Sequence, residues 1–189
     1  MLKLLIIQTK VFCNRGDKMV ETTVEKAWKT KYPEQIVLVV TASAKNTFNI
    51  ITIGWVMPTS SLPPMIAVSI GHSRYSYKLI MEIGEFALCF PSVEQKSAVI
   101  FCGTHSGKEY DKFKETGLGQ ISSKYIKPPI IADSVAAFEC RVSGNLKTGD
   151  HTIFAGEILT AYVSEHPLKR LYNFGEFFSG ISQVARGNK

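Results

Sequence analysis

Runs of β-branched and aliphatic residues, punctuated by Gly and Pro, set the pattern along most of this chain. Residues 35–43 (QIVLVVTAS) are apolar on both alternating faces and predict a buried strand. The polar stretch AKNTFN follows, and its Asn46 and Asn49 predict a tight turn. Residues 50–57 (IITIGWVM) predict a second strand stopped by Pro58, with Gly54 marking a bulge or a close backbone approach. Residues 59–64 (TSSLPP) read as a loop, and residues 65–70 (MIAVSI) as a third strand.

Beyond Gly71 the period changes. Tyr75, Leu79, Ile80 and Ile83 recur at helical spacing, with Ser73 as the expected N-cap and Gly84 as the C-terminal stop. Residues 86–90 (FALCF) predict a fourth strand ended by Pro91. Short helices are expected over 93–101 and 108–115, then an irregular stretch over 119–132. Residues 134–144 and 151–163 predict two long strands joined by a hairpin turn, NLKTGD. The tail carries Tyr172, Phe174, Phe177 and Phe178, which read as core or interface. Strands broken by Gly and Pro, with a few short helices between them, imply a mainly β chain closed or nearly closed into a barrel. They do not fit alternating βαβ units, and no GxGxxG follows a strand.

Composition narrows the class. The 189 residues are 45% hydrophobic and 20% charged, which is ordinary for a globular domain and excludes wholesale disorder, collagen and coiled coil. No apolar run approaches the length of a membrane-spanning helix, so no membrane partner is expected. Of the net charge of +6, about half lies in residues 1–18, where Lys3, Lys10, Arg15 and Lys18 face only Asp17. The apolar stretch there is too short for a signal peptide. Residues 1–18 are therefore read as a non-core N-terminal extension, with Met19 as an alternative start and residues 19–189 as one domain. The rest of the chain keeps no basic stripe that would call for nucleic acid. Cys13, Cys89, Cys102 and Cys140 form neither a CxxC pair nor a disulfide framework, so a cytoplasmic location with reduced thiols is expected.

The chemistry concentrates in residues 53–80. Ser69, Ser73 and Ser76 surround Arg74 at the head of a predicted helix. Free N–H groups, a guanidinium and hydroxyls together match a phosphate dianion. A capping Ser73 beside a solvated Arg74 fits that spacing equally well. The stretch WVMPTS could pack a flat ring against Trp55 and offer Thr59 and Ser60 to its polar edge, or could be a strand-end turn over a core Trp. Cys102 and His105 form a CxxH without a second ligand pair, so no metal is expected.

Five blocks in order, GWVMPTSSLPPMIAVSIGHSRYSYKLI, GEFALCFPSVEQ, CGTHSGKEYDKF, KPPIIADSVAAFECRV and GDHTIFAGEI, resemble the flavin reductase-like, FMN-binding split-barrel family of the flavoredoxin type, over roughly residues 36–163. The resemblance implies a six-stranded split β-barrel, a homodimer and one FMN per subunit. It assigns the ring to Trp55, Met57, Pro58, Thr59 and Ser60, and the phosphate and ribityl chain to Ser69, Ile70, Gly71, Arg74, Tyr75 and Ser76. It adds Cys102, Gly103, Ser106, Gly107 and Lys112 to the cofactor site, and places His151 beside the flavin and nicotinamide as the catalytic residue. Cys89 stands where the family often has Asn. The implied activity is transfer of hydride or electrons from NAD(P)H through FMN to a flavin or other acceptor. The alternatives are a flavoredoxin-like carrier reduced by a redox partner protein, and a split barrel that binds a ligand without redox chemistry.

Overall fold

A computed structural model describes residues 19–181 of the chain; the expected extension over residues 1–18 lies outside the described residues. The chain divides into two compact units, Met1–Lys31 and Tyr32–Lys189. Among the described residues the first contains one short helix, α1 (Val24–Trp28), with no buried residue. Thr23 caps it, its hydroxyl accepting from the Lys26 N–H at 3.3 Å.

The second unit runs β1 (Glu34–Gln35), β2 (Val37–Ala42), β3 (Phe48–Ile53), β4 (Val56–Ser61), β5 (Pro64–Gly71), α2 (Tyr75–Ile83), β6 (Glu85–Phe90), a 3-10 turn (Val93–Gln95), α3 (Lys96–Thr104), α4 (Lys112–Thr116), β7 (Gln120–Ile121), β8 (Ile130–Ile131), β9 (Ala136–Thr148), β10 (His151–Val163), β11 (Arg170–Asn173) and β12 (Phe178–Ile181). The chain is thus mainly β with short helices. The principal sheet has the order β3-β2-β6-β9-β10-β5-β4, all neighbours antiparallel. Two small sheets, β1-β11-β12 and β7-β8, accompany it.

One face of every strand in the principal sheet converges on a single cluster. Val39 of β2, Ile51 of β3, Val56 of β4, Val68 of β5, Leu88 of β6, Cys140 of β9 and Phe154 of β10 are all in it, with Ile80 of α2. A flat sheet could not bring its end strands into one cluster, so the sheet is curled. Its two end strands, β3 and β4, are neighbours in sequence, separated only by Gly54 and Trp55, and the curl stays open between them. The other face packs a second cluster, in which Leu38 and Val40 of β2 meet Val99 and Cys102 of α3 and Phe113 of α4. Being buried on both faces, β2 is apolar at every position but Thr41.

The sheet has seven strands, one more than the six implied by the resemblance. The expected second strand divides at Gly54 into β3 and β4. The expected loop over 59–64 is largely strand, β4 running to Ser61 and turning through Leu62 and Pro63 into β5. Pro58 does not prevent this, because β4 is an edge strand with a free side, and the register slips at a bulge between Pro58 and Ser60. Gly84 closes α2 with φ of 71°, as its sequence position predicts. The N-cap of α2, however, is Arg74 and not Ser73, with no side-chain capping bond. The last predicted hairpin is longer than expected: β9 continues to Thr148, which pairs with His151 across Gly149 and Asp150.

A buried carboxylate ties the irregular region after α4 to the sheet. Glu139 of β9 accepts from the Lys124 N–H at 2.8 Å, the Tyr125 N–H at 2.7 Å and the Tyr162 hydroxyl at 2.6 Å. Burial pushes its pKa up, but the Tyr162 hydroxyl and the N–H groups of Lys124, Tyr125 and Ile126 outweigh burial and hold it below its ordinary value.

Candidate functional site

The site forms where three pieces of chain meet: β3, the turn from β5 into α2, and the end of α3 with the turn that follows. Strand pairing fixes two of its members. In the β10–β5 register His151 stands opposite Gly71, and Ile153 opposite Ser69. The Ser69 N–H donates to the Trp55 carbonyl at 3.0 Å, which holds the β3–β4 connection against β5. Trp55 and His151 therefore meet, with ring centroids 4.8 Å apart.

Two adjoining cavities result. The first, of about 150 Å³, is lined by Asn49, Ile51, Ser73, Arg74, Tyr75, Ser76, Lys112 and the stretch from Cys102 to Gly107. The second, of about 190 Å³, is lined by residues 51–55, Ser69, Ile70, Gly71, Arg74, Gly103 and His151. Ile51, Arg74 and Gly103 belong to both walls, so the two are continuous. An apolar hollow beside Trp55 is bounded by Met57, Ala67 and Ile153.

The first cavity is built for an anion. Lys112 is 3% exposed, and its Nζ donates to the backbone carbonyls of Ile50 at 2.7 Å and Cys102 at 2.8 Å. Burial lowers its pKa, with the Cys102 side chain opposing the drop and the Arg74 guanidinium adding to it. Neither cavity has an Asp or Glu in its wall. Two cationic side chains facing a carboxylate-free hollow favour a bound anion. Arg74 stands at the N-terminus of the nine-residue helix α2, where no side chain caps the first turn. Burial pushes the Cys102 thiol up to about 11, so it lines the wall as a neutral group and not as a nucleophile.

Hydroxyl and amide groups complete the walls of the two cavities. Asn49, 3% exposed, donates from Nδ2 to Ser76 Oγ at 2.7 Å, while its Oδ1 has no protein partner. Gly107 packs so closely on that amide that a Cβ there would overlap it. Thr52 Oγ1 donates to the Val99 carbonyl at 2.6 Å, and Gly103 packs on the Thr52 side chain, so β3 and α3 are fastened beneath the second cavity. His151 Nδ1 lies 2.6 Å from Asp150 Oδ1. That contact is the main reason the exposed Asp150 carboxyl sits below its usual value.

Most residues singled out from the sequence come together here. Arg74, Tyr75, Ser76, Cys102, Gly103, Ser106, Gly107 and Lys112 line the first cavity, and Trp55, Ser69, Ile70, Gly71 and His151 the second. Met57 faces the apolar hollow. Pro58, Thr59 and Ser60 line none of the three; they stand on the edge strand β4, with Pro58 and Thr59 exposed. Cys89 is fully buried in the core beneath α3 and lines neither cavity. Sequence reading missed Asn49 and Thr52. Asn49 is a strand residue and not a turn residue, and the signal was its position two before Ile51 on one face of β3.

A phosphate-sized, positively lined pocket running into a wider one beside an indole fits a flavin nucleotide. Comparison with known proteins points to the same class of ligand. Residues 30–181 match the family model described as Flavin reductase like domain. An uncharacterized protein of Archaeoglobus fulgidus is 42% identical over 128 residues, 68% of this chain and 71% of that one. The NADH-dependent FMN reductase AsuE2 of Streptomyces nodosus subsp. asukaensis is 28% identical over 137 residues, 70% of this chain and 72% of its own. Among solved structures, flavoredoxin of Desulfovibrio vulgaris (Miyazaki F) superposes with a TM-score of 0.74 at 26% identity, covering 82% of this chain and 91% of that one. Fold, pocket and sequence agree that this chain belongs to the flavin reductase-like family of flavin-binding proteins.

Proposed function

We propose that the chain binds FMN and works as an oxidoreductase, taking hydride from NAD(P)H and passing reducing equivalents to a flavin or another acceptor. The observation that carries this reading is the continuity of the carboxylate-free Arg74–Lys112 pocket with the Trp55–His151 cavity. When bound, the flavin ring supplies the hydride and electron chemistry. The protein supplies binding and orientation. Arg74, Lys112 and the open first turn of α2 hold the phosphate. Trp55 packs beside the ring. His151, its ring set by Asp150 and Trp55, positions the nicotinamide. The Cys102 thiol, held protonated, is not placed as a nucleophile.

A homodimer is part of this reading. Trp55 and Met57 of the apolar hollow, and Leu146 opposite Ile153 in the β9–β10 register, leave 40%, 55% and 62% of their surface exposed, and a second copy would cover them beside the flavin site. Cys89, Cys102 and Cys140 are free and buried, which suits a reducing cytoplasm.

An electron carrier is the second reading, favoured by the likeness to flavoredoxin. Stopped-flow absorbance of the FMN-loaded protein separates the two. Bleaching by NADH or NADPH within seconds supports the reductase. Bleaching by a reduced ferredoxin-type protein but by neither nicotinamide supports the carrier. A protein that takes up no flavin is a split barrel without this redox role.

A further inference from the structure

The small sheet β1-β11-β12 stands outside the walls of both cavities, yet it is fastened to the elbow that carries Trp55. Its β11 is tied to the end of β6, where the Leu171 N–H donates to the Pro91 carbonyl at 2.9 Å. The Arg170 guanidinium lies over the rings of Phe90 and Tyr172, 4.2 and 5.1 Å from their centroids, and donates from Nη2 to Gln35 Oε1 at 3.2 Å. Gln35 in turn donates from Nε2 to the Val56 carbonyl at 2.6 Å. Its neighbour Glu34 pairs with Asn173 in the β1–β11 register and accepts from Asn173 Nδ2 at 3.1 Å. The Glu34 carboxylate lies against Gly54: a Cβ built there would stand 2.9 Å from its Cδ and 3.0 Å from each oxygen. Gly54 has no positive φ, so the carboxylate and not the backbone angle keeps this position small.

Resting on the flavin reading above, we propose that Glu34 is a positioning residue of the ring site: it holds the elbow of Gly54, Trp55 and Val56 in place, and it sets a negative charge beside that wall. Gly54 lines the second cavity and Glu34 does not, so the carboxylate is next to the wall without being part of it. The elbow is anchored twice. The Ser69 N–H of β5 holds the Trp55 carbonyl, while Glu34 and Gln35 of β1 hold Gly54 and Val56. An indole fixed before a ring arrives loses little freedom on binding. A hydride brings one proton and two electrons, so a flavin that accepts it gains one negative charge. A carboxylate beside the cavity opposes that gain, and the half-buried place of Glu34 leaves the opposition only partly screened. Glu34 therefore lowers the potential of the bound flavin and makes its reduced form a stronger donor.

The test uses the full-length protein in two measurements, with thermal melting to check the fold. In a Trp28→Phe background Trp55 is the one tryptophan, and acrylamide quenching of its fluorescence reads how firmly the elbow is held, with no flavin present. Glu34→Ala is expected to raise the quenching constant about twofold, as for an indole no longer held at 40% exposure. Glu34→Gln, which keeps the size of the side chain and an acceptor for Asn173, should quench as the parent does. The second measurement is the midpoint potential of bound FMN. Glu34→Gln is expected to tighten reduced flavin about tenfold relative to oxidised flavin, a rise of about 30 mV for two electrons. Should Glu34→Ala fail to fold, Gly54→Ala serves in its place with the same rise in quenching, because its methyl must part the elbow from the carboxylate. Unchanged quenching in the folded variant overturns the proposal, and so does an unchanged potential in Glu34→Gln. Wild type that takes up no flavin overturns the flavin reading itself, and the proposal with it.

Discussion

Asn49 Nδ2 donates to Ser76 Oγ at 2.7 Å, so a residue of β3 holds the first turn of α2 across 27 positions of sequence. Gly107, from the turn after α3, closes over the same amide. Three separate segments are thus keyed to one buried side chain. Gly107→Ala places a methyl where the Asn49 amide lies and must displace it, because a buried strand residue has little room to move. The variant is expected to lose about 1–3 kcal/mol of stability in urea denaturation and to bind FMN markedly more weakly. Unchanged FMN affinity in a folded variant would remove Asn49 from the ligand's surroundings.

Lys112 serves the fold and the site together. Lys112→Met leaves the Ile50 and Cys102 carbonyls without their donor, a loss of about 1–3 kcal/mol that is offset in part by no longer burying a charge. Its pKa in the folded chain lies below the unfolded value, so the folded state releases its proton first. The wild type therefore gains stability as pH rises through the folded pKa toward the unfolded one, and Lys112→Met should lack that gain. Denaturation midpoints at pH 7 and pH 10 check both statements.

Glu139 gives a slope of the same sign at the acid end of the pH range. Its folded pKa is depressed, so its stabilising contribution is complete above the unfolded carboxyl value and is lost as pH falls through the folded value. Glu139→Gln is expected to cost about 2 kcal/mol at neutral pH, since an uncharged acceptor replaces a buried carboxylate with three donors. The same variant should flatten the acid limb of the stability profile below about pH 4. An unchanged acid limb would mean that other carboxylates set it.

Much of this was legible in the chain itself, and the exceptions have physical causes. The doubly buried run at β2 and the Gly84 stop of α2 are written in local sequence, and the structure keeps both. The strand β4 was hidden because Pro and polar residues signal a loop, and only its position at the end of the sheet makes them tolerable in a strand. Asn49 was hidden for a related reason. A polar residue after a turn looks like part of that turn until its partner, Ser76, is brought alongside by a distant helix. Lys112 came from the resemblance alone, since nothing in its own segment announces that two carbonyls from other elements will bury it.

Arg74 stands between the two cavities and has the one guanidinium in their walls. Titrating wild type and Arg74→Ala with FMN and with riboflavin, which lacks the phosphate, isolates its role. FMN should bind wild type far more tightly than riboflavin does. Arg74→Ala should weaken FMN by about 1.5–3 kcal/mol, the usual worth of a hydrogen bond to a charged group, and leave riboflavin unchanged. Equal affinities of wild type for FMN and riboflavin, or an Arg74→Ala variant that binds FMN as wild type does, would show that the phosphate is not held in the Arg74–Lys112 pocket.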